Sequence, residues 1–264
     1  MAFRRPEFVI RSATMVLRVI VLAGILAAGV VGSTAAEVLT YPAPTLEQAR
    51  EWYEAAKSNY MREATNTTAA WKFAEACFEW AEFARSSSDR SSLAIEGIAA
   101  AKLTAENDPG NVAGHFYLAM NKGQLARTKT LGALPLVKEM ERSFQDAIKL
   151  DPKFDHAAPD RSLGMLYLDA PGWPTSVGSK SNARKHLERA VELSPEYPTN
   201  HLTLMEAYLE WEDIEALQPA MERYRKVIPS AMKMFTGARW ENSWKDWNAR
   251  WNKIARRSRE LVEK

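Results

Sequence analysis

Apolar residues recur every three or four positions from residue 46 to the end of the chain, which is the spacing of one face of an α-helix. No stretch alternates between apolar and polar residues for long enough to predict a β-strand. Helix-breaking residues separate the periodic stretches: the serines at 86–88, then Pro109, Pro152, Pro171, Pro195 and Pro229. The pattern predicts an all-α fold.

A helical segment that ends in proline recurs along the chain. Residues 97–109, 140–152 and 183–195 align without gaps at intervals of 43 residues, and residues 217–229 follow after another 34. Ala147 and Ala190 occupy equivalent positions, where a small side chain allows two helices to approach closely. Proline lacks a backbone N–H and restricts the residue before it, so each segment is expected to end at its proline.

The helices that precede these segments repeat too. The shared positions are occupied by Trp71 and Phe78 in the first of these helices and by His115 and Leu118 in the second. In the third helix they are Leu163, Gly164 and Tyr167, and in the fourth they are Leu204, Met205 and Tyr208. Lys122 stands where the pattern expects tyrosine. Over residues 67–229 the pattern resembles the tetratricopeptide repeat, in which about 34 residues form two helices. The resemblance implies a tetratricopeptide-like helical-repeat solenoid.

Three of the four repeats are longer than the standard one, which predicts insertions of about seven to ten residues between their paired helices. These insertions, with Pro171-Gly172-Trp173 and Gly178, resemble the T-component family of TRAP transporters and the related regulator-of-microtubule-dynamics family. The resemblance implies a binding protein without a catalytic site. The best-known T-components are lipoproteins, whereas this sequence has no cysteine near residues 33–36, so no lipid anchor is expected.

The N-terminal segment has the pattern of a secretory signal. Four arginines precede an apolar run at residues 19–32, which is shorter than the roughly 20 residues of a membrane-spanning helix. Thr34-Ala35-Ala36 offers a cleavage site before Glu37, and cleavage one residue earlier is the nearby alternative. We expect export to the periplasm or the medium, with removal of residues 1–36. An uncleaved membrane anchor is the alternative.

The predicted organisation is a signal peptide at residues 1–36, an extended lead-in at 37–44, tetratricopeptide-like repeats at 45–229 and a tryptophan-rich capping helix at 230–264. The formal net charge is +2, and it becomes −1 without residues 1–36, so nucleic acid is not an expected partner. A single cysteine excludes a disulfide framework and a multi-thiolate zinc site. The four histidines show no metal-binding spacing, and no metal or cofactor is expected.

Three features could carry chemistry, and a structural explanation is favoured for each. Residues 172–181 contain two glycines and a lysine, but their spacing departs from that of a phosphate-binding loop. Trp173 is instead expected to pack on the helices, and residues 175–179 to form a surface loop that tolerates substitution. Cys77 is expected to be a buried structural thiol. His115 and His201 take the aromatic position of the repeat and are expected to pack.

The last predicted helix carries an apolar stripe of Trp240, Trp244, Trp247, Trp251 and Ile254. Its end is basic, so the stripe could bind a partner or a membrane surface. It could instead cover the open end of the last repeat, as solenoids require. We favour the cap, because a free tryptophan stripe would aggregate, and expect the stripe to lie against residues 199–229.

In this class of repeat, the first helix of each pair lines the concave face. The predicted lining residues are Lys72, Trp80, Phe116, Met120, Gln124, Arg161, Met165 and Glu206, with Arg161 as the natural anchor for a carboxylate. The sequence therefore predicts an exported, non-catalytic scaffold that holds a protein partner or a small ligand on this face. Membrane contact is not expected after signal cleavage, and homo-oligomerisation stays open.

Two other functional hypotheses remain. The T-component resemblance implies a soluble ligand-binding accessory of a TRAP-type transporter, which a deep apolar channel would favour over the scaffold. An open polar groove would favour the scaffold. A hydrolase that uses the inserted loops is the third hypothesis, but the sequence contains no nucleophile motif for it.

Overall fold

The computed structural model describes residues 45–129 and 132–263. The predicted signal peptide and lead-in lie outside these residues. Within the described ranges, no helix is both long and apolar enough to cross a bilayer.

The described residues form ten α-helices and no β-strand, which confirms the all-α prediction for this part of the chain. The helices are α1 Leu46–Arg62, α2 Thr67–Glu82, α3 Ser87–Asn107, α4 Val112–Ala126, α5 Ala133–Leu150, α6 Phe154–Asp169, α7 Lys180–Leu193, α8 Pro198–Glu210, α9 Ile214–Met234 and α10 Glu241–Val262. A short 3₁₀ turn, Ala238–Trp240, precedes α10. Consecutive helices pack as pairs, from α2–α3 to α8–α9, and the pairs stack into a solenoid.

Local capping explains where most of these helices begin. Side-chain oxygens of Thr45, Asn66, Ser86, Asn111, Ser179 and Asp213 accept hydrogen bonds from backbone N–H groups in the first turns of α1, α2, α3, α4, α7 and α9. These bonds satisfy donors that have no partner within the helix. Short polar side chains therefore divide the apolar pattern into separate helices.

Three of the four predicted proline stops match the helix ends. α3, α5 and α7 each end two residues before Pro109, Pro152 or Pro195. The prediction for Pro229 is wrong, because α9 continues through it to Met234. Pro229 and Arg225 are both exposed, so water can solvate the Arg225 carbonyl that loses its helical donor.

The extra length of the early repeats is divided between loops and helices. α3 has 21 residues and α5 has 18, against 16 for α2 and 15 for α4. The connections are therefore shorter than the predicted insertions, except for residues 170–179 between α6 and α7. The extra residues thus lie in a longer second helix of the pair, where the sequence suggested a longer loop.

Close helix approach occurs at the small residues of the repeat. Ala147 and Ala190 are both fully buried, as expected. A Cβ atom added to Gly164, the glycine of the Leu-Gly pattern, would lie 2.8 Å from Leu187 side-chain atoms on α7. α6 and α7 can therefore pack at this distance only because position 164 has no side chain.

The connection between α6 and α7 differs from its prediction in two respects. Trp173 is 88% exposed, so the expectation that it packs on the helices is wrong. A Cβ atom at Gly178 would lie 2.0 Å from the Ala170 carbonyl oxygen, so position 178 does not tolerate substitution. Gly178 N–H donates to Pro171 O at 2.9 Å, which draws the two ends of the loop together and turns the Trp173 segment outward.

Two apolar cores lie along the solenoid. The first core lies mainly among α1 to α6 and includes Phe73, Phe78, Phe116 and Phe144. The second core lies among α6 to α10 and includes Met205, Leu217, Phe235 and Trp247. Because α6 contributes to both, it joins the two halves of the molecule.

α6 begins with an unusual left-handed turn. Asp155, His156 and Ala157 have φ angles of 44°, 53° and 61°, a region that costs residues with side chains roughly 1–2 kcal/mol each. Tertiary contacts hold the turn: the His156 carbonyl accepts from Arg161 Nη1 at 3.2 Å and from Asn200 Nδ2 at 3.0 Å. The His156 ring also stacks on Tyr197, with 4.4 Å between ring centroids.

The tryptophan stripe of α10 faces the last repeat. Trp240, Trp247 and Ile254 are at most 1% exposed, whereas Trp244 and Trp251 are half-buried. Trp247 Nε1 donates to Thr199 Oγ1 on α8 at 2.8 Å, and the Trp251 ring lies 4.9 Å from the Tyr224 ring on α9. The predicted burial against the α8–α9 pair is confirmed.

Candidate functional site

Buried polar side chains follow the contact between α2 and α4. Tyr117 Oη donates to Glu75 Oε1 at 2.5 Å, and Asn121 Nδ2 donates to the Ala74 carbonyl at 2.8 Å. One turn further, Gln124 Nε2 donates to the Phe78 carbonyl at 3.3 Å. We call this row of contacts the α2–α4 seam. The neighbouring side chains on both helices are mostly small and apolar. The hydrogen bonds of the seam therefore add polar contacts that hold the first two repeats together.

Arg90 and Arg127 lie beside the Glu82 carboxylate at the C-terminal end of the seam. Arg127 Nη1 donates to Glu82 Oε1 at 2.5 Å and to Gln124 Oε1 at 3.0 Å. Arg90 Nη1 donates to the same Gln124 oxygen at 2.6 Å. Burial, and then the neighbouring Arg127 charge, lower the pKa of Arg90. This end of the seam is therefore closed by its own ion pairs.

Glu79 is the carboxyl of the seam that lacks a partner. It is 4% exposed, and within the described part of the chain its carboxyl makes no hydrogen bond or ion pair. Burial raises the pKa of Glu79 well above its ordinary value, and the nearby carboxyls of Glu75, Glu82 and Asp155 raise it further. Glu79 is thus a buried acid whose ionised form nothing in the described chain stabilises.

A second unpaired acid approaches from α6. Asp155, in the left-handed turn, is 9% exposed and its carboxyl makes no hydrogen bond to another described residue. Burial raises the pKa of Asp155, while the Arg161 charge opposes the shift. Burial likewise raises the pKa of Glu75 to about 8, although the Tyr117 hydrogen bond lowers it. Asp155 acts electrostatically on both glutamates, and we call the three buried acids Glu75, Glu79 and Asp155 the acidic cluster.

Most of the predicted concave-face residues are buried. Phe116, Met120, Gln124, Arg161 and Met165 are buried, Trp80 and Glu206 are half-buried, and Lys72 is exposed. Phe116 packs between Phe144 and Phe154, at ring distances of 5.9 and 5.4 Å. Met120 belongs to the first core and Met165 to the second. Their part in binding a ligand stays a prediction.

The four other predicted residues have contacts within the chain. Arg161 Nη1 donates to Asn200 Oδ1 at 2.7 Å, and its guanidinium lies 5.4 Å from the Tyr197 ring. Glu206 accepts two hydrogen bonds from Arg250 on α10, at 2.9 and 2.8 Å. The Lys72 ammonium lies 5.7 Å from the Trp71 ring, and the Trp80 ring lies 6.2 Å from Phe83. Arg161, the predicted anchor, and the lining residue Glu206 therefore already have partners.

α10 separates Glu206 from the other predicted residues. The Arg250–Glu206 pair and the Trp247–Thr199 hydrogen bond both place α10 against α8. α10 packs on α8 and α9, whereas Lys72, Gln124 and the acidic cluster lie on α2, α4 and α6. A shallow cleft of about 350 Å³ between α1 and α2 reaches Lys72 but is not lined by the acidic cluster.

Sequence reasoning missed the acidic cluster. Its visible signal is a pair of acids, Glu75 and Glu79, spaced four residues apart inside the otherwise apolar segment 73–81. That spacing places both carboxyls on one face of α2, and a charged pair inside such a segment has to meet another polar group. Asp155 gave no comparable signal, since its approach depends on the left-handed turn.

The histidine rings are not paired with a nucleophile. His115 and His201 bond the carbonyls of Pro109 and Pro195 at 3.0 and 2.6 Å, and His186 Nδ1 bonds Asp160 at 2.7 Å. Cys77 is fully buried, and burial raises the pKa of its thiol. The expected structural burial of Cys77 and His201 is thus confirmed, and these hydrogen bonds assemble no nucleophile–base pair.

Four stacked helix pairs with small residues at the pair contacts define a helical-repeat solenoid of the tetratricopeptide class. A crystal structure of TTC0263, a thermophilic tetratricopeptide protein of Thermus thermophilus, matches with a TM-score of 0.59 and 15% identity, over 80% of this chain and 92% of that one. The structure of MamA matches with a TM-score of 0.46 and 15% identity, over 72% and 90%, and adds nothing to the assignment. No protein-family model and no curated protein matches the sequence.

Proposed function

We propose that this chain is an exported scaffold protein that binds a protein partner on the concave face formed by α2, α4 and α6, and that it has no catalytic role. The observation that carries the proposal is the stack of four helix pairs, which matches the fold of a solved tetratricopeptide protein. The tetratricopeptide fold supplies the curved surface on which a partner can be held.

A matched pair of exposed lysines tests the binding face. Lys72→Glu reverses a charge on the concave helix α2, and Lys138→Glu makes the same change on α5, the second helix of its pair. We expect the wild-type protein and Lys138→Glu to co-purify the same partner from native envelopes, and Lys72→Glu to lose it. Equal recovery by both variants, quantified by mass spectrometry, would place the partner elsewhere on the molecule.

The sequence alone supports export. The arginines, the apolar run at residues 19–32 and the small residues at 34–36 are those of a cleaved signal. N-terminal sequencing of the exported protein should therefore begin at or next to Glu37. An exported chain that still begins with Met1 would contradict the proposal and favour the membrane anchor.

The soluble accessory of a TRAP-type transporter is the second candidate. The cleft of about 350 Å³ between α1 and α2 favours it, because a cleft of that size can hold a small ligand. Native mass spectrometry of protein purified without added ligand separates the two functions. A retained small molecule supports the accessory, whereas partner capture by a ligand-free protein supports the scaffold.

A further inference from the structure

Charge is divided unevenly between the body of the solenoid and its C-terminal end. Residues 46–213 carry 25 acids against 19 lysines and arginines, whereas residues 214–264 carry 6 acids against 12 lysines and arginines. The body therefore has a net charge of −6, and the segment that forms α9 and α10 has a net charge of +6. An anionic surface would attract this end of the molecule and repel the rest.

The turn that joins α9 to α10 exposes apolar and basic side chains together. Met232 and Met234, in the last turn of α9, are 60% and 54% exposed. Lys233 lies between them in the sequence and is exposed too, as are Arg239 in the 3₁₀ turn and Lys245 early in α10. We call these five residues the α9–α10 tip. Large apolar side chains exposed beside such charges mark an interaction surface.

Buried aromatic rings hold the tip in place. Phe235 and Trp240 are 4% and 1% exposed, and their ring centroids lie 4.8 Å apart. Trp244 Nε1 donates to the Phe235 carbonyl at 2.6 Å, which places the start of α10 beside the end of α9. Between the helices Gly237 has a φ of 89°, which a residue without a side chain adopts at little cost. The fold therefore fixes the turn and leaves its methionines exposed to solvent.

The bases of the tip have no carboxylate partner among the described residues. Lys233 and Lys245 form no ion pair there, and the Arg239 guanidinium lies over the Trp240 ring at 5.6 Å. Residues 232–245 contain a single acid, Glu241, against three bases, so this segment has a net charge of +2. The charges of the tip are thus available to an external anion.

This composition suits an anionic bilayer. The apolar side chains of a surface-bound segment enter the boundary between head groups and acyl chains, while lysine and arginine reach the phosphates on long flexible stems. Adhesion of this kind needs exposed charge and apolar atoms but no pocket. The cleft between α1 and α2 lies at the other end of the solenoid, so it takes no part in the contact.

We propose that the α9–α10 tip binds the surface of a membrane that contains anionic phospholipids. Met232 and Met234 enter the interface, and the three bases contact lipid phosphates. The acidic body is repelled, so the solenoid stands on its C-terminal end. The contact is not predicted by the sequence, because the exposure of the methionines is set by the fold. It differs from binding through the tryptophan stripe, which faces α8 and α9, and it does not depend on the concave-face function.

Co-sedimentation with vesicles tests the charge of the tip on residues 37–264, which contain every described helix. The probes are vesicles of phosphatidylglycerol mixed with phosphatidylcholine, and vesicles of phosphatidylcholine alone are the neutral control. The double variant Lys233→Glu with Arg239→Glu reverses two charges at the tip. Lys138→Glu with Lys185→Glu makes the same change of net charge at exposed positions of α5 and α7.

We expect the wild-type protein and the α5–α7 variant to bind the anionic vesicles and not the neutral ones, and binding should weaken as salt is added. The tip variant should bind at least about tenfold more weakly, because anionic lipids attract only the charges that lie close to their surface. Circular dichroism establishes that both variants are folded.

A fluorescent label locates the contact independently. Met234→Cys accepts a polarity-sensitive maleimide, and Cys77 does not compete for it because Cys77 is fully buried. Ser58→Cys, at an exposed position of α1, is the matched control. With anionic vesicles, the emission of the label at residue 234 should shift to the blue, and the emission of the label at residue 58 should not change.

No binding to the anionic vesicles, equal binding to the neutral ones, or equal weakening by the two double variants would overturn the proposal. An unshifted label at residue 234, or a shifted label at residue 58, would do the same. Binding of a polyglutamate peptide by a protein that ignores the vesicles would assign the tip to an acidic protein partner instead. The partner capture that Lys72→Glu tests does not depend on any of these results.

Discussion

The two halves of the solenoid are held together by different means. In the first core, helices approach through alanines such as Ala74 and Ala119, and the α2–α4 seam adds buried hydrogen bonds. In the second core, α10 and the turn before it cover the last repeat with large rings, including Trp240 and Trp247. The contrast separates two tasks: the second core closes the stack with apolar area, whereas the first keeps polar groups inside.

The largest effect should come from the second core. Trp247→Ala removes a fully buried ring and the hydrogen bond to Thr199, so the free energy of unfolding should fall by about 3–5 kcal/mol. Trp173→Ala is the matched control, because Trp173 is 88% exposed, and it should change stability by less than about 0.5 kcal/mol. Urea unfolding measures both. Similar losses for the two variants would mean that α10 does not close the stack.

Overpacking compares the two halves directly. Ala147 contacts the first core and Ala190 lies between helices of the second half, and both are fully buried. A tryptophan at either position should lower the free energy of unfolding by about 1–3 kcal/mol or more, since no space exists for the ring. Ala99→Trp, at an exposed position of α3, is the control for thermal melts. Wild-type melting of both core variants would refute the alignment of the repeats.

The α2–α4 seam should contribute less to stability than the second core does. Its contribution comes from buried hydrogen bonds rather than from the volume of packed side chains. Asn121→Ala leaves the buried Ala74 carbonyl without its side-chain donor and should destabilise the protein by about 1–3 kcal/mol. Asn248→Ala, at an exposed position of α10, should have little effect. If chemical denaturation shows equal midpoints for the two variants, the first core depends on apolar contacts as the second does.

The last effect is a pH dependence that belongs to the first core. Burial raises the pKa of Glu75 from 4.5 to about 8, and that of Glu79 also rises. Between pH values of about 4.5 and about 8, the folded state therefore binds more protons than the unfolded state. The free energy of unfolding should fall as the pH rises through this range.

The slope should be at most about 1.4 kcal/mol per pH unit for each carboxyl. Melting temperatures between pH 5 and 8.5 measure it. The double variant Glu75→Gln with Glu79→Gln should flatten the profile, while Glu54→Gln should leave it unchanged. A profile as steep in the double variant as in the wild type would assign the titration to other groups.

The sequence was sufficient for features that repeat. Helical periodicity, the small residues at 147 and 190 and the tryptophan stripe each follow from spacing alone, and the structure agrees with all three. These features are local or recur at a fixed interval. The spacing within one helix is therefore enough to predict which of its residues face the neighbouring helix.

Features that depend on a single tertiary contact could not be predicted. Trp173 is exposed because a backbone hydrogen bond between Pro171 and Gly178 turns its loop outward. α9 passes Pro229 because the carbonyl that loses its donor is on the solvent side. The hydrogen bond between Glu75 and Tyr117 needs α2 and α4 to meet, and neither sequence segment indicates the other. The fold was thus more predictable than the candidate site.

The left-handed turn at the start of α6 has a mechanical consequence. Asp155 to Ala157 store conformational energy, and the contacts that hold them, through Asn200 and the Tyr197 ring, belong to the second half of the chain. A load that pulled α8 away would therefore have to break these contacts first, so the starts of α6 and α8 should resist tension as one mechanical unit.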